Sequence, residues 1–445
     1  MPLTPNETLR ELRRTRGLTQ QKLADLIQVS RSTERRWEHG HIQRPHIGQL
    51  KALAHALGVS MDELGFGPIN QTVAPRIDVS TEPFTPSATS RTLMMMCKNE
   101  RVERRSFTFL VGTALAAPVG QYLATPSLDP ANYDRPGMRV TDEVVDDLDA
   151  FNARLRVLDD WGGGETLLQA VQGQMRLVSD LLNNRSYNAQ VGQRLHSNIA
   201  DLLRTGAWIS FDMGQHAQAQ QMWITALRAA HTAGDHALGA LILTNLSEQA
   251  KEINVGDTVP LAEAALQRYR GNNAKVHTLL QLQAAQAYAY SGDSSPARRA
   301  IDASFTHWNN ANRDNSAPSW TYQLTEPLIH GRGAGFSYYA IGQWALAQQH
   351  LHTALLTQEP NTLCCLAHGT LAHTMLAKTY LKQGEIEQAC LTVTQALDLF
   401  GADINRSHQA RTHIDYFTRQ ISDYQSSPAV RVLIDRTHSL TVGNV

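Results

Sequence analysis

At 445 residues the chain is too long for one ordinary hydrophobic core, so two or three domains are expected. Hydrophobic residues make up 42% and charged residues 18%, the composition of a folded globular protein, and a formal net charge of -1 gives no global pointer to nucleic acid or membrane. The charge is unevenly placed: residues 1–66 hold ten Lys/Arg against seven acids, +3, which leaves -4 for the rest. A basic head on an acidic body suits a polyanion-binding module carried by a larger structure. The four cysteines, Cys97, Cys364, Cys365 and Cys390, form no CxxC, and an adjacent pair rarely closes a disulfide. A reducing cytoplasm is therefore the expected compartment, and MPLTPNETLRELRR has no apolar signal-peptide core.

Three helical patterns follow one another before residue 66. Leu9 and Leu12 share a face behind Asn6 as cap, with Gly17 ending the run. Thr19 caps QQKLADLIQ, whose buried stripe is Leu23, Ala24 and Ile27. After a short turn through Val29, Ser30 caps RSTERRWEH, and Gly40 closes it. Two short helices joined by a tight turn are the helix-turn-helix plan, in which the second helix enters the major groove.

The stretch LTQQKLADLIQVSRSTERRWEHG, followed by RPHIGQLKALAHALGVSMDEL, resembles the Cro/C1-type (Xre-family) helix-turn-helix domain over essentially its full length. The resemblance implies a five-helix head that binds double-stranded DNA as a homodimer, on two half-sites of a palindromic operator. It implies that Gln20 hydrogen-bonds the backbone near the start of helix two. Arg31, Ser32 and Arg36 would meet base edges, while Thr33, Arg35 and Arg44 would meet phosphates. The chemistry agrees: an arginine fork pairs with guanine O6 and N7, and phosphate contacts fix register without reading sequence. Glu34 departs from the pattern, because it stands where the family buries an aliphatic residue. Its carboxylate is expected to reach solvent or to pair with Arg31 or Arg35. His39, His41 and His46 lie in and after the end of this helix with no Cys or acid at ligand spacing, so no metal is expected.

Residues 67–103 carry several prolines, Ser and Thr without a sustained period and read as a linker. The next stretch, RRSFTFLVGTALAAPVGQYLATP at 104–126, looks like a twin-arginine export signal but lies a hundred residues into the chain. Its apolar run from Phe107 to Ala117 is eleven residues, short of the ~20 needed to span a bilayer. An apolar connecting helix, docked on the body or buried at a dimer contact, is the expectation.

From residue 130 to 435 the pattern is helical and repetitive. Seven residues before Gly214, Gly292, Gly342 and Gly384 stand Ala207, Ala285, Gly335 and Ala377. Five after them stand Ala219, Ala297, Ala347 and Ala389; twelve after them stand Ala226, Ser304, Ala354 and Ala396. A weaker copy centres on Asp257, between Ala250 and Ala262. Small residues at such points let antiparallel helices approach, and the glycine permits the turn. The pattern resembles the tetratricopeptide (TPR) scaffold, with registers 43, 35, 50 and 42 residues apart. The expected fold is all-α: a helix-turn-helix head and an α-solenoid of TPR-like hairpins with a concave surface. The order of segments resembles actinobacterial helix-turn-helix regulators and, in architecture alone, the peptide-pheromone receptors of Firmicutes.

Projection onto TPR geometry points Arg204, Trp208, Lys251, Gln286, Arg332, Phe336, Tyr339 and Lys378 inward, with Asn245 able to pair with a ligand backbone. Four cations beside aromatics suit an acidic group such as a peptide carboxylate. The competing reading makes the aromatics inter-repeat core and leaves the cations solvated. Gly162 to Glu165, GGGE, lacks the lysine of a phosphate loop and reads as a turn and helix start. No nucleophile–base arrangement, paired-carboxylate motif or cofactor signature stands out. The expected function is a cytoplasmic, non-enzymatic transcriptional regulator whose body binds a peptide or small ligand and mediates dimerisation. The alternatives are a protein-docking scaffold with a DNA-anchoring head and, behind it, a membrane-attached regulator.

Overall fold

In the computed structural model the chain divides into two compact units, Met1–Arg76 and Ile77–Val445. The structure describes residues 6–27, 29–39, 47–59, 61–64, 66, 79, 81–98, 110–126, 133–160, 164–311, 317–357 and 365–442.

The head consists of α1 (Glu7–Thr15), α2 (Gln20–Leu26), α3 (Arg31–Glu38), α4 (Ile47–Leu57) and a 3-10 turn, Met61–Leu64, in the place of the expected fifth helix. The helix starts are those the sequence marks. Asn6, Thr19 and Ser30 accept hydrogen bonds from the backbone N–H of Leu9, Lys22 and Thr33, each satisfying an otherwise orphaned donor of the first turn. Asn6 also donates to the Leu64 carbonyl at 3.0 Å, joining the first helix start to the last turn. Leu9, Leu23, Ile27, Trp37, Leu53, Leu57 and Leu64 fill the core between these elements.

The second unit starts earlier than the composition indicated. The expected linker carries α5 (Pro86–Lys98), with Pro86 in the first turn, where a missing N–H costs nothing. Phe84, Ala88 and Leu93 are buried, and Thr89 Oγ1 lies 3.0 Å from Thr232 Oγ1. Arg228, fully buried, donates to the carbonyls of Pro83 (2.9 Å) and Val79 (2.5 Å) and stacks 4.4 Å over the Phe84 ring. A few well-spaced apolar side chains and one buried arginine thus override a linker-like composition. The apolar segment supplies α6 (Thr113–Ala124), which docks Leu115, Val119 and Tyr122 into the main core. Gln220 holds the backbone of Leu110 from both sides, accepting from its N–H at 2.8 Å and donating to its carbonyl at 2.9 Å. Arg104 and Arg105 lie outside the described residues. Among the described residues no helix is long and apolar enough to cross a membrane.

Two long helices, α7 (Asp142–Asp160) and α8 (Gly164–Asn184), precede six antiparallel helical pairs. These are α9 (Ala189–Asp212) with α10 (His216–Ala233), α11 (His236–Ile253) with α12 (Thr258–Arg268), and α13 (Ala274–Tyr290) with α14 (Ser294–Ala311). Next, α15 (Glu326–Leu328), a π-helical turn at Ile329–Gly335 and α16 (Phe336–Ala340) form one arm that packs on α17 (Trp344–Leu356). The last pairs are α18 (Cys365–Lys382) with α19 (Ile386–Phe400), and α20 (His408–Ile421) with α21 (Pro428–Val442). Among the described residues there are no strands, only isolated bridges at Tyr133–Tyr187 and Arg139–Ser186. The body is a TPR-like array of helical hairpins.

The repeat register has the packing role its spacing implied. Gly214, Gly292, Gly342 and Gly384 have φ of 74, 88, 75 and 81°, the left-handed region that Gly enters without steric cost. Ala207, Ala285, Ala377, Ala219, Ala297, Ala347, Ala389, Ala226 and Ala396 are fully buried. Gly335 replaces alanine in its register for a local reason. A Cβ there would lie 2.8 Å from Leu351 Cγ and 3.1 Å from the His330 carbonyl oxygen. Gly335→Ala is therefore expected to lower stability by about 1–3 kcal/mol through overpacking, read as a lower thermal midpoint of the full chain. An unchanged midpoint would refute this account of the close approach.

Candidate functional site

On the head, α3 presents Arg31, Ser32, Arg35 and Arg36 to solvent while burying Glu34, Trp37 and Glu38. Thr33 is half-buried, its hydroxyl 2.8 Å from the capping Ser30 hydroxyl. Arg44 lies outside the described residues, as do His41 and His46. Arg10, Arg14 and Arg31 line one cleft with Thr19 and Gln21. Arg10 and Arg14 are additional to the expected DNA-contacting residues, and their i,i+4 spacing on α1 is the signal that places them on one face.

Beneath this face lies a buried ionic network. Arg13 grips Glu38 with two bonds, Nε to Oε1 at 2.6 Å and Nη2 to Oε2 at 3.2 Å, and donates a third to the Leu18 carbonyl at 2.8 Å. Gln20 Nε2 donates to Glu38 Oε2 at 2.7 Å, so this amide is committed to the protein's own carboxylate rather than to a backbone near helix two. Breaking such a buried pair strands a charge and costs about 3–5 kcal/mol.

Glu34 corrects a second expectation. It is fully buried and neither reaches solvent nor pairs with Arg31 or Arg35; its nearest cation atom is Arg13 Nε at 3.5 Å. With both carboxylates bare, neither Glu34 oxygen has a hydrogen-bond donor. Burial, reinforced by the neighbouring Glu38 charge, pushes Glu34 up to about 8, so at neutral pH it carries a proton that supplies the missing donor. Glu38 is likewise desolvated, but hydrogen bonds from Arg13 and Gln20 outweigh burial and hold it below the ordinary carboxylate range.

In the body, four of the nine candidate ligand residues, Arg204, Trp208, Asn245 and Arg332, come together around a cavity of about 160 Å³. Asp159, Asp160, Asp212, Trp320 and Tyr322 share its wall. The 3-10 turn Ser319–Gln323 and the π-helical turn bearing Arg332 bring in chain segments outside the regular repeat. Asn245 is only 7% exposed and its Nδ2 has no hydrogen-bond partner. A buried donor left so costs about 1–3 kcal/mol, an expense usually seen where water or a ligand completes the site.

The remaining candidates divide. Lys251 donates to Gln286 Oε1 at 2.6 Å and pairs with Glu248 at 2.6 Å; Arg332 pairs with the same carboxylate at 3.1 Å. Desolvation opposes ionisation of Glu248, yet Lys251 and Arg332 pull it down to about 2. Arg204 donates twice to Asp201 Oδ1, at 3.0 and 2.9 Å, while Arg156 binds the other Asp201 oxygen. These cations therefore already have carboxylate partners, against the expectation that they await an acidic ligand. Phe336 belongs to the core, with Tyr339 packed against it. Lys378 is buried 4.8 Å over the Tyr416 ring, and desolvation pushes it down to about 8. Phe336, Tyr339, Lys251, Gln286 and Lys378 do not line the cavity.

The acids of the cavity are less well served. Asp160 accepts from the Tyr322 hydroxyl at 2.8 Å and Gln323 Nε2 at 2.6 Å, and burial still lifts it to about 6. Asp159 meets no hydrogen-bond donor among the described residues. Burial pushes it well above the ordinary range, with Asp160 and Asp212 adding to the shift and Arg204 opposing it.

Residues 9–64 match the family model described as Helix-turn-helix, and the head is a helix-turn-helix DNA-binding domain of the Xre (Cro/C1) type. No curated protein matches the sequence. Among solved structures, Bacillus thuringiensis PlcR in complex with the peptide PapR7 and DNA aligns over 93% of this chain and 98% of that one. The identity is 10% and the TM-score 0.30, a loose likeness over the whole length.

The Glu34 carboxyl makes head stability pH-dependent in a defined sense. Its folded-state pKa is raised, so its contribution is fully present below the ordinary carboxylate range and is lost as pH rises through about 8. Glu38, shifted downward, acts with opposite sign and only below that range. Hydrogen-exchange protection of α1–α3 in the full chain, corrected for intrinsic exchange, should fall between pH 5 and 8. Glu34→Leu should remove that slope and raise protection at pH 8. A wild-type slope of the other sign would contradict the assignment.

Proposed function

We propose that the protein is a sequence-specific DNA-binding transcriptional regulator, dimeric on a palindromic operator, whose helical body binds an organic ligand and so adjusts operator affinity. The observation that carries this reading is the α3 face: three exposed arginines on a short helix whose opposite side is fixed by Trp37, Glu38 and Arg13. A rigid, pre-oriented helix places guanidinium forks at defined positions in a major groove without an ordering penalty. Arg31, Ser32 and Arg36 read base edges, and Thr33, Arg35 and Arg44 hold phosphates. Gln20 acts through Glu38, locking α2 to α3. Arg10 and Arg14 extend the phosphate-facing surface through their cleft with Arg31. The cavity lined by Arg204, Trp208, Asn245 and Arg332 is the ligand site, and Lys251, bound to Gln286, acts on it through Glu248, the carboxylate it shares with Arg332.

Sites mapped on the chromosome and then titrated with full-length protein at two salt concentrations test the reading. Arg31→Ala and Arg36→Ala should each cost about 1–3 kcal/mol on the specific site and relax base preference at one position. Arg35→Ala should weaken binding evenly across sequences and reduce the salt slope by about one. Equal affinity of the wild type for mapped and scrambled DNA would contradict sequence-specific regulation.

A further inference from the structure

Helix α7 has two flanks of different character on either side of its buried face, which is formed by Val145, Leu148, Asn152, Leu155 and Arg156. One flank is sealed. Arg194 of α9 donates across it to Asp142 (2.9 Å), Asp146 (2.5 Å) and Asp149 (3.0 Å), giving three acids of the helix a shared cation. The other flank is open. Val144, Phe151 and Leu158 stand there 38, 44 and 51% exposed, seven residues apart and therefore on one line along the helix. Asp147 and Arg154 stand between them, three residues after Val144 and after Phe151. Both are exposed, and neither side chain has an ionic partner among the described residues. The stripe thus runs apolar, acidic, apolar, basic, apolar. The core-facing side of α7 is complete without it, so this second apolar line serves nothing inside the body.

We propose that the stripe is a contact between two copies of the chain, with the two α7 helices antiparallel about a two-fold axis at Phe151. The proposal rests on the dimeric reading above and adds the surface that makes the dimer. The order of the residues selects both the occupant and its direction. Such an axis sets Phe151 on its own copy, Val144 on Leu158 of the second copy and Asp147 beside Arg154 of the second copy, each contact being made twice. Parallel helices would instead set Asp147 on Asp147 and Arg154 on Arg154, which like charges oppose. An acid four residues before one aromatic and a base three residues after it is what self-pairing requires, and a foreign partner would impose no such symmetry. Glu143, the remaining exposed acid of this flank, lies about 12 Å along the helix from Phe151, at the rim of the contact where solvent screens it. From Val144 to Leu158 the stripe is about 21 Å long, a smaller face than a standard interface, so the pair alone is weak, with a dissociation constant of about micromolar or above. Two half-sites on one duplex raise the effective concentration of the copies and tighten it.

Sedimentation velocity of the full-length protein without DNA, from about 1 to 100 μM, tests the contact. The wild type should pass from monomer to dimer across that range. Phe151→Glu should abolish the dimer, and Asp147→Arg and Arg154→Asp should each weaken it at least about tenfold. The two single charge variants, mixed, should form a heterodimer, and the variant carrying both changes should return to within about threefold of the wild type. Because all three positions are exposed, thermal midpoints should stay within about 2 °C. A wild type that remains monomeric, a dimer that Phe151→Glu leaves intact, or single changes that the double change does not rescue overturns the proposal. A monomer whose midpoint falls with Phe151→Glu overturns it too, because the chain then covers the stripe itself. The two readings fail separately. A monomeric wild type that selects a two-fold symmetric DNA motif keeps the palindromic operator and refutes this contact, whereas an α7 dimer that selects no such motif keeps the contact and refutes the operator.

Discussion

Close approach of antiparallel helices is the constraint on which the body depends. Alanines at the register positions are fully buried, and glycines with positive φ turn the chain between helices. With so little side-chain bulk between them, the helices leave little room for water, and polar groups on their inner faces sit in a poor solvent for charge. Each must then find a protein partner, shift its protonation or wait for a ligand. Glu248 and Asp201 follow the first course, each holding two cations. Lys378 and Asp160 follow the second, shifted to about 8 and about 6 by burial. Asp159 follows the second as well, pushed well above the ordinary range by burial, and the unmatched Asn245 amide fits the third.

The head solves a related problem at smaller scale. Trp37 ties α3 into the apolar core, and the Arg13–Glu38 pair with Gln20 adds directional bonds across three helices. Such bonds specify orientation more than they add stability. The network holds α3 against α1 and α2 with Arg31, Arg35 and Arg36 on its exposed side. Glu34 works against this economy: a second carboxyl beside Glu38 is accommodated by keeping its proton.

Much of the fold was legible because its signals are local. Asn6, Thr19 and Ser30 cap the helices where their side-chain chemistry said they would, and four of the repeat glycines turn where their spacing placed them. Where the signal is not local, the sequence is silent. The α20–α21 pair turns through Ser422–Tyr424 without glycine and escapes the register. Helix α5 lies in a stretch whose composition is that of a linker, and its fixing arginine, Arg228, is about 140 residues away. The ligand candidates show the same limit. A helical projection finds that Arg204, Trp208, Asn245 and Arg332 face inward, but not that Asp201 and Glu248 stand behind them. Phe336 and Tyr339 share that inward projection, yet packing assigns both to the core.

The proposed function rests on an arginine-bearing helix held by a buried ion pair and on a cavity in the body. Its most direct test is selection by full-length protein from a random duplex pool. The account predicts enrichment of one two-fold symmetric motif, with half-sites about one helical turn apart, and loss of preference at one position per half-site when Arg36 becomes alanine. Recovery of unenriched sequence, or of a motif indifferent to Arg31 and Arg36, would contradict it.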